Sequence, residues 1–98
     1  MSVTRMMLIG VAVLADYGAK RPRASSALRA LNALIRQANW TSNEDLARSC
    51  GAAMRLDGDG TALLALREAG CEVALRINYD LGVVRVIAVR DLQKDANA

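Results

Sequence analysis

Arginine is the side chain with which this sequence can do chemistry. Of the 98 residues, thirteen are cationic, eleven of them Arg, against ten carboxylates and no histidine. A guanidinium is planar, permanently charged and forked to match phosphate or carboxylate oxygens. An arginine-heavy surface therefore points to nucleic acid or an acidic partner. Arg67, Arg76, Arg85, Arg90 and Lys94 are spread over the last third of the chain, and Arg29 and Arg36 lie seven residues apart before them. Such cations stabilise negative charge that develops on phosphoryl oxygens. They do not supply a general base. Asp91 and Asp95 flank Lys94, the candidate acid, but an exposed Asp with an ordinary pKa of about 4 is a weak base at neutral pH.

Other chemistries find few residues to work with. Cys50 and Cys71 form no Cys-x-x-Cys, and without histidine the usual zinc ligand sets cannot be assembled. Two buried, reduced thiols are expected. Asp57-Gly58-Asp59-Gly60 is too short for a calcium loop and lacks its closing Glu, so it reads as a hairpin turn. Neither a metal nor a nucleotide loop is evident, and no cofactor is expected. Met6 to Ala15 is an apolar run behind Arg5, too short to span a bilayer. It predicts a core strand leading into a helix, in a soluble cytoplasmic protein with no membrane partner.

These residues must be positioned by a single domain, 1–98, whose apolar content suffices for a modest core, with about 90–98 as a C-terminal tail. Thr4 to Gly10 reads as a strand apolar on both faces, which predicts a central place in a sheet. Val11 to Lys20 continues as a helix, stopped by Gly18 and by Pro22 acting on Arg21. Ser25 or Ser26 caps a second helix running to about Asn39. Its stripe comprises Leu28, Leu31, Leu34, Ile35 and Ala38, with Arg29 and Arg36 on the other side. Trp40 closes it as a core anchor. Thr41-Ser42-Asn43-Glu44 fits a capping box that opens a short helix to about Ser49. From Gly51 onward, turn signals at Asp57–Gly60, Ala69-Gly70 and Asp80–Gly82 predict an antiparallel meander.

Turn positions give strand registers. A two-residue turn at Ala69-Gly70 sets Arg67 opposite Glu72 and Leu66 opposite Val73. Leu64, Leu66, Val73, Leu75, Ile77 and Tyr79 then share one face, since side chains alternate by two. Either choice of the next turn adds Val84, Val86 and Ala88 to that face. The opposite, open face carries Arg67, Arg76, Asn78 and Arg85, with Glu72 able to neutralise one cation. Arg55 has no register by this reasoning.

Two stretches have a familiar form. One is Ala38-Asn39-Trp40-Thr41-Ser42 at a helix end; the other is Ile77-Asn78-Tyr79-Asp80-Leu81-Gly82-Val83-Val84 across a hairpin. Together they resemble the HigB-type toxins of the RelE superfamily, over about Met6 to Val89. The resemblance implies an α+β, RelE-like fold with two to three helices on one face of a mainly antiparallel sheet of four to five strands. It implies a toxin of a toxin–antitoxin pair: a ribosome-dependent mRNA endoribonuclease (mRNA interferase) held in check by an antitoxin protein. Arg67, Arg76, Arg85 and Lys94 would then be catalytic, with Arg29, Arg36, Asn78 and Arg90 binding RNA or partner. After the last strand the family reads Gly-Thr-His-x-x-Tyr-Asp, where this chain reads Arg90-Asp91-Leu92-Gln93-Lys94-Asp95. The alternative is a non-catalytic binding protein on a toxin scaffold, such as a phage or mobile-element inhibitor of the anti-CRISPR type. Its partner would be a nucleic-acid-processing complex.

Overall fold

Gly10 determines how the chain enters its sheet. In the computed structural model, which describes residues 7–51, 54–57 and 60–92, the first strand β1 (Met7–Ile9) turns at Gly10 into helix α1 (Val11–Lys20). Gly10 has φ +92°, and a Cβ there would lie 2.8 Å from the Val86 carbonyl oxygen. Both the positive φ and the close approach demand glycine.

Pro22 stops α1, and it also starts α2 (Pro22–Gln37), occupying the first helical turn. Neither Ser25 nor Ser26 is the cap. A proline at the first turn lacks only an N–H that has no helical partner, and its φ is already helical. The buried seam of α2 is Ala24, Leu28, Leu31 and Ile35. Leu34 is 41% exposed, contrary to its place in the predicted stripe. It lies about 100° around the axis from Ile35, so centring Ile35 on the sheet leaves Leu34 at the margin.

Trp40 is buried as expected, and its indole Nε1 donates to Ser49 Oγ at 2.8 Å. The helix α3 (Asn43–Cys50) is capped by Ser42, whose hydroxyl accepts from the Asp45 N–H. The box is thus one residue later than Thr41–Glu44. Asp45 reaches back to the Thr41 N–H and hydroxyl and takes up Arg48. The Thr41 hydroxyl is the main reason its carboxyl is held below the usual range.

Four more strands follow: β2 (Met54–Leu56), β3 (Ala62–Leu66), β4 (Cys71–Asn78) and β5 (Val83–Asp91). The sheet order is β1-β5-β4-β3-β2, with β1 parallel to β5 and all other pairs antiparallel. The result is the predicted α+β class, three helices with a mainly antiparallel five-stranded sheet. Leu8, Leu64, Val73, Leu75, Val84 and Val86 meet Leu14, Leu28, Leu31, Ile35, Trp40 and Leu46 in one core. Among the described residues no helix is long and apolar enough to cross a membrane.

Three expectations need correction. β1 is an edge strand rather than a central one: Leu8 faces the core while Met7 and Ile9 are 62% and 44% exposed. The β3–β4 connection is a 3-10 turn at Arg67–Ala69 closed by Gly70 at φ +71°. Leu66 therefore pairs with Cys71, and Ala65 with Glu72. A two-residue hairpin of type I′ would have forced a positive φ on Ala69, which has a Cβ. The shift is by two, so the core face is preserved while Arg67 leaves the strand. Finally, the β4–β5 ladder is irregular at Ala74/Leu75: Leu75 pairs with Val86 but Ala74 with Ala88. One extra residue, Ile87, moves Ala88 off the core face and brings Val89 against the core.

The two neighbouring residues of α2 test this placement. Ile35→Ala should cost about 2–5 kcal/mol in urea unfolding, and Leu34→Ala less than about 1 kcal/mol. Equal losses would mean that α2 is turned differently on the sheet.

Candidate nucleic-acid interface

Alternation along β4 and β5 builds the open face of the sheet. Where Leu75, Ile77 and Val84 point to the helices, Arg76, Asn78 and Arg85 point away. Arg76 and Arg85 are directly opposite one another in the ladder, and Asn78 is paired with Val83 two residues along. Like charges so placed cost a few tenths of a kcal/mol up to about 1 kcal/mol. Around them runs a shallow groove of about 610 Å³, lined also by Ile9, Asp80, Leu81 and Val83. The Asn78 carbonyl oxygen accepts the Leu81 N–H at 3.0 Å, so this part of the side chain holds the turn beneath the groove. Tyr79, on the core side, donates to Asn43 at 2.5 Å, and burial raises its hydroxyl pKa.

At the other end of the open face one carboxylate is shared by two arginines. Glu72 is 9% exposed, and its carboxylate lies 3.5 Å from Arg55 and 3.4 Å from Arg90. This assigns Arg55 a register, opposite Leu63 on the open face. Arg90 belongs to β5 and not to a tail. Glu72 was expected to offset one cation; it is shared by two, neither of them Arg67. Its depth in the face keeps it available to both.

The remaining candidates are placed elsewhere. Arg67 sits in the 3-10 turn at one end of the sheet. There it shares a cleft with Lys20, Arg21 and Arg23. Arg29 and Arg36 are exposed on α2, in the layer on the opposite side of the sheet from Arg76 and Arg85. Arg36 donates through Nε to Asn32 at 2.7 Å. Lys94 and Asp95 lie outside the described residues. Of the seven candidates among the described residues, Arg76, Asn78, Arg85 and Arg90 share the open face. The set Lys20, Arg21 and Arg23 had no site assigned from sequence. Its signal was present as the Lys20-Arg21-Pro22-Arg23 run, which reads locally as a helix stop.

Asp91 has a different role from the one its position suggested. The Tyr17 hydroxyl donates to one of its carboxylate oxygens, and Arg21 donates to the other at 2.6 Å. This clasp ties the end of β5 to the α1–α2 corner, so Asp91 is committed rather than waiting as a base. Cys50 and Cys71 are free thiols, both raised in pKa by burial. Among the described residues no group of His, Cys, Asp or Glu could hold a metal ion.

No protein-family model matches the sequence, and no curated protein matches it.

The clasp gives a pH prediction. Loss of solvent, then the hydrogen bond to Asp91, pushes the Tyr17 hydroxyl up to about 12. The fold thus favours the protonated phenol. That contribution is complete below the ordinary phenol pKa of about 10 and is lost as pH rises through about 12. Denaturation between about pH 9 and pH 12 should show wild type losing stability more steeply than Tyr17→Phe. Parallel profiles would leave the clasp without a stabilising role.

Proposed function

We propose that this chain is an RNA-binding domain of the HigB toxin type, which takes RNA phosphates on its open sheet face through Arg76 and Arg85. The observation that carries this reading is the directly opposed Arg76–Arg85 pair, aimed away from the helices beside a groove. Two further points support it. The elements run strand, two helices, short helix and four strands, and the Ile77–Val84 motif forms the hairpin that presents the pair. As a ribosome-dependent mRNA endoribonuclease, the domain would use both arginines to hold the charge that develops on the phosphorane. An antitoxin would cover the same face. An acidic antitoxin segment meets the same guanidinium forks that phosphate does.

A second reading is favoured by the positions of the other candidates. Arg67 is off the face, Arg90 is bound to Glu72, Asp91 is clasped, and the chain has no histidine, the side chain whose ordinary pKa suits proton transfer near neutrality. Under this reading the face binds without cutting. Its occupant could then be a nucleic-acid-processing complex, as for an anti-CRISPR-type inhibitor.

The experiment is expression of wild type and of Arg76→Glu/Arg85→Glu in cells, followed by transcript-end mapping and RNA-binding assays. The charge-reversed pair should abolish RNA binding without loss of fold, because both side chains are exposed. In-frame mRNA cuts that appear with wild type and vanish in the variant would establish a ribonuclease. Growth inhibition without cuts would leave binding as the mechanism. Unchanged RNA binding in the variant would remove the open face from the reading altogether.

A further inference from the structure

At the end of the sheet away from the Tyr79–Gly82 turn, the α1–α2 corner approaches the Arg67–Ala69 turn. Between them lies a cleft of about 720 Å³. Among the described residues its lining holds four cations, Lys20, Arg21, Arg23 and Arg67, and two carboxylates, Glu68 and Asp91. Asp91 is already engaged by Arg21 and by the Tyr17 hydroxyl. One guanidinium nitrogen of Arg21 is used by this contact, which fixes the fork and leaves its other donors available. Lys20 ends α1, where the helix dipole favours a cation.

Arg23 has no such justification. It lies in the first turn of α2, at the positive end of that helix's dipole, where an anion is the stabilising group. That turn has no acidic residue and no side-chain cap. Arg67 approaches the same space from the 3-10 turn. The cleft therefore concentrates positive charge of two kinds, side chains and a helix N-terminus, against the interest of the folded chain alone.

We propose that this cleft is a second contact site for the phosphodiester backbone of an RNA strand, with Arg23 and Arg67 as the phosphate-binding side chains and Arg21 held in place by Asp91. An RNA phosphate supplies the anion that the N-terminus of α2 lacks. Spaced phosphates suit a cleft with several separate cations better than one small anion does. The inference rests on the reading of the chain as an RNA-binding domain, and adds to it a surface distinct from the Arg76–Arg85 face.

The test measures binding of a labelled oligouridylate over a range of salt concentrations for wild type, Arg23→Glu/Arg67→Glu and Arg76→Glu/Arg85→Glu. The cleft variant should bind at least about tenfold more weakly, and its salt slope should shrink by about 1.4, the value for two phosphate contacts on a single strand. Arg23→Glu alone should meanwhile raise the thermal midpoint, because it places an acid at the start of α2. The same melting measurement on Arg23→Glu/Arg67→Glu, with a midpoint no lower than that of wild type, excludes misfolding as the cause of its lost affinity. Wild-type affinity and slope in the cleft variant would overturn the proposal, and loss in the open-face variant alone would leave the first reading intact. Loss in the cleft variant alone would uphold the cleft and remove the open face. No binding by wild type would overturn both.

Discussion

The eight-residue strand β4 has to bury Cys71, Val73 and Leu75 against the helices, and its ladder with β5 is where that requirement meets the charges. Side chains alternate by two, so burying one set obliges Glu72, Arg76 and Asn78 to face the other way. β5 must answer with Val84 and Val86 inward, which turns Arg85 outward opposite Arg76. A slip of one residue would bring guanidinium groups into an apolar core without partners, a cost of several kcal/mol for each buried charge. The like-charge pair on the wet face costs far less. The charged face is thus a consequence of the core.

The same ladder also explains why the open face is uneven. Past Leu75 the bulge returns the strands to pairing with Ala88 and Arg90 outward, and Arg90 comes beside Glu72. With Arg55 arriving from the edge strand, one end of the face becomes a loose ion-pair network. Exposed arginines at 3.4–3.5 Å add little stability. Their effect is electrostatic: the one Glu72 carboxylate offsets part of the positive charge of Arg55 and Arg90. Positive charge gathers again at the α1–α2 corner, where Asp91 offsets only part of it.

Each charged surface leans on a local device outside the sheet. Gly10 lets β1 lie close to Val86 before α1 starts, and Pro22 turns the chain sharply enough for α2 to return over the sheet. Trp40 and the Ser42 cap then bring α3 against the same core. The Tyr17–Asp91–Arg21 clasp joins the last strand to the α1–α2 corner and so ties the cleft to the sheet.

The class of fold, the inward set Val73, Leu75, Val84 and Val86, and the outward direction of Arg76 and Arg85 were legible before any coordinates. These follow from local periodicity, which reports the side of an element on which a residue lies. Trp40 as an anchor and Pro22 as a breaker were legible for the same local reason. Which elements are neighbours, and how long each connection is, depended on packing across the whole chain. Arg67 left the face because a 3-10 turn replaced a two-residue hairpin, and Ala88 changed sides at a bulge that no pattern marks. β1 took the edge although it is apolar on both sides, and Leu34 was left at the margin by the angle at which α2 settled. The cleft cations come together from Lys20-Arg21-Pro22-Arg23 and Arg67, more than forty positions apart. Distances through space depend on every intervening turn at once, whereas alternation along a strand depends only on the strand.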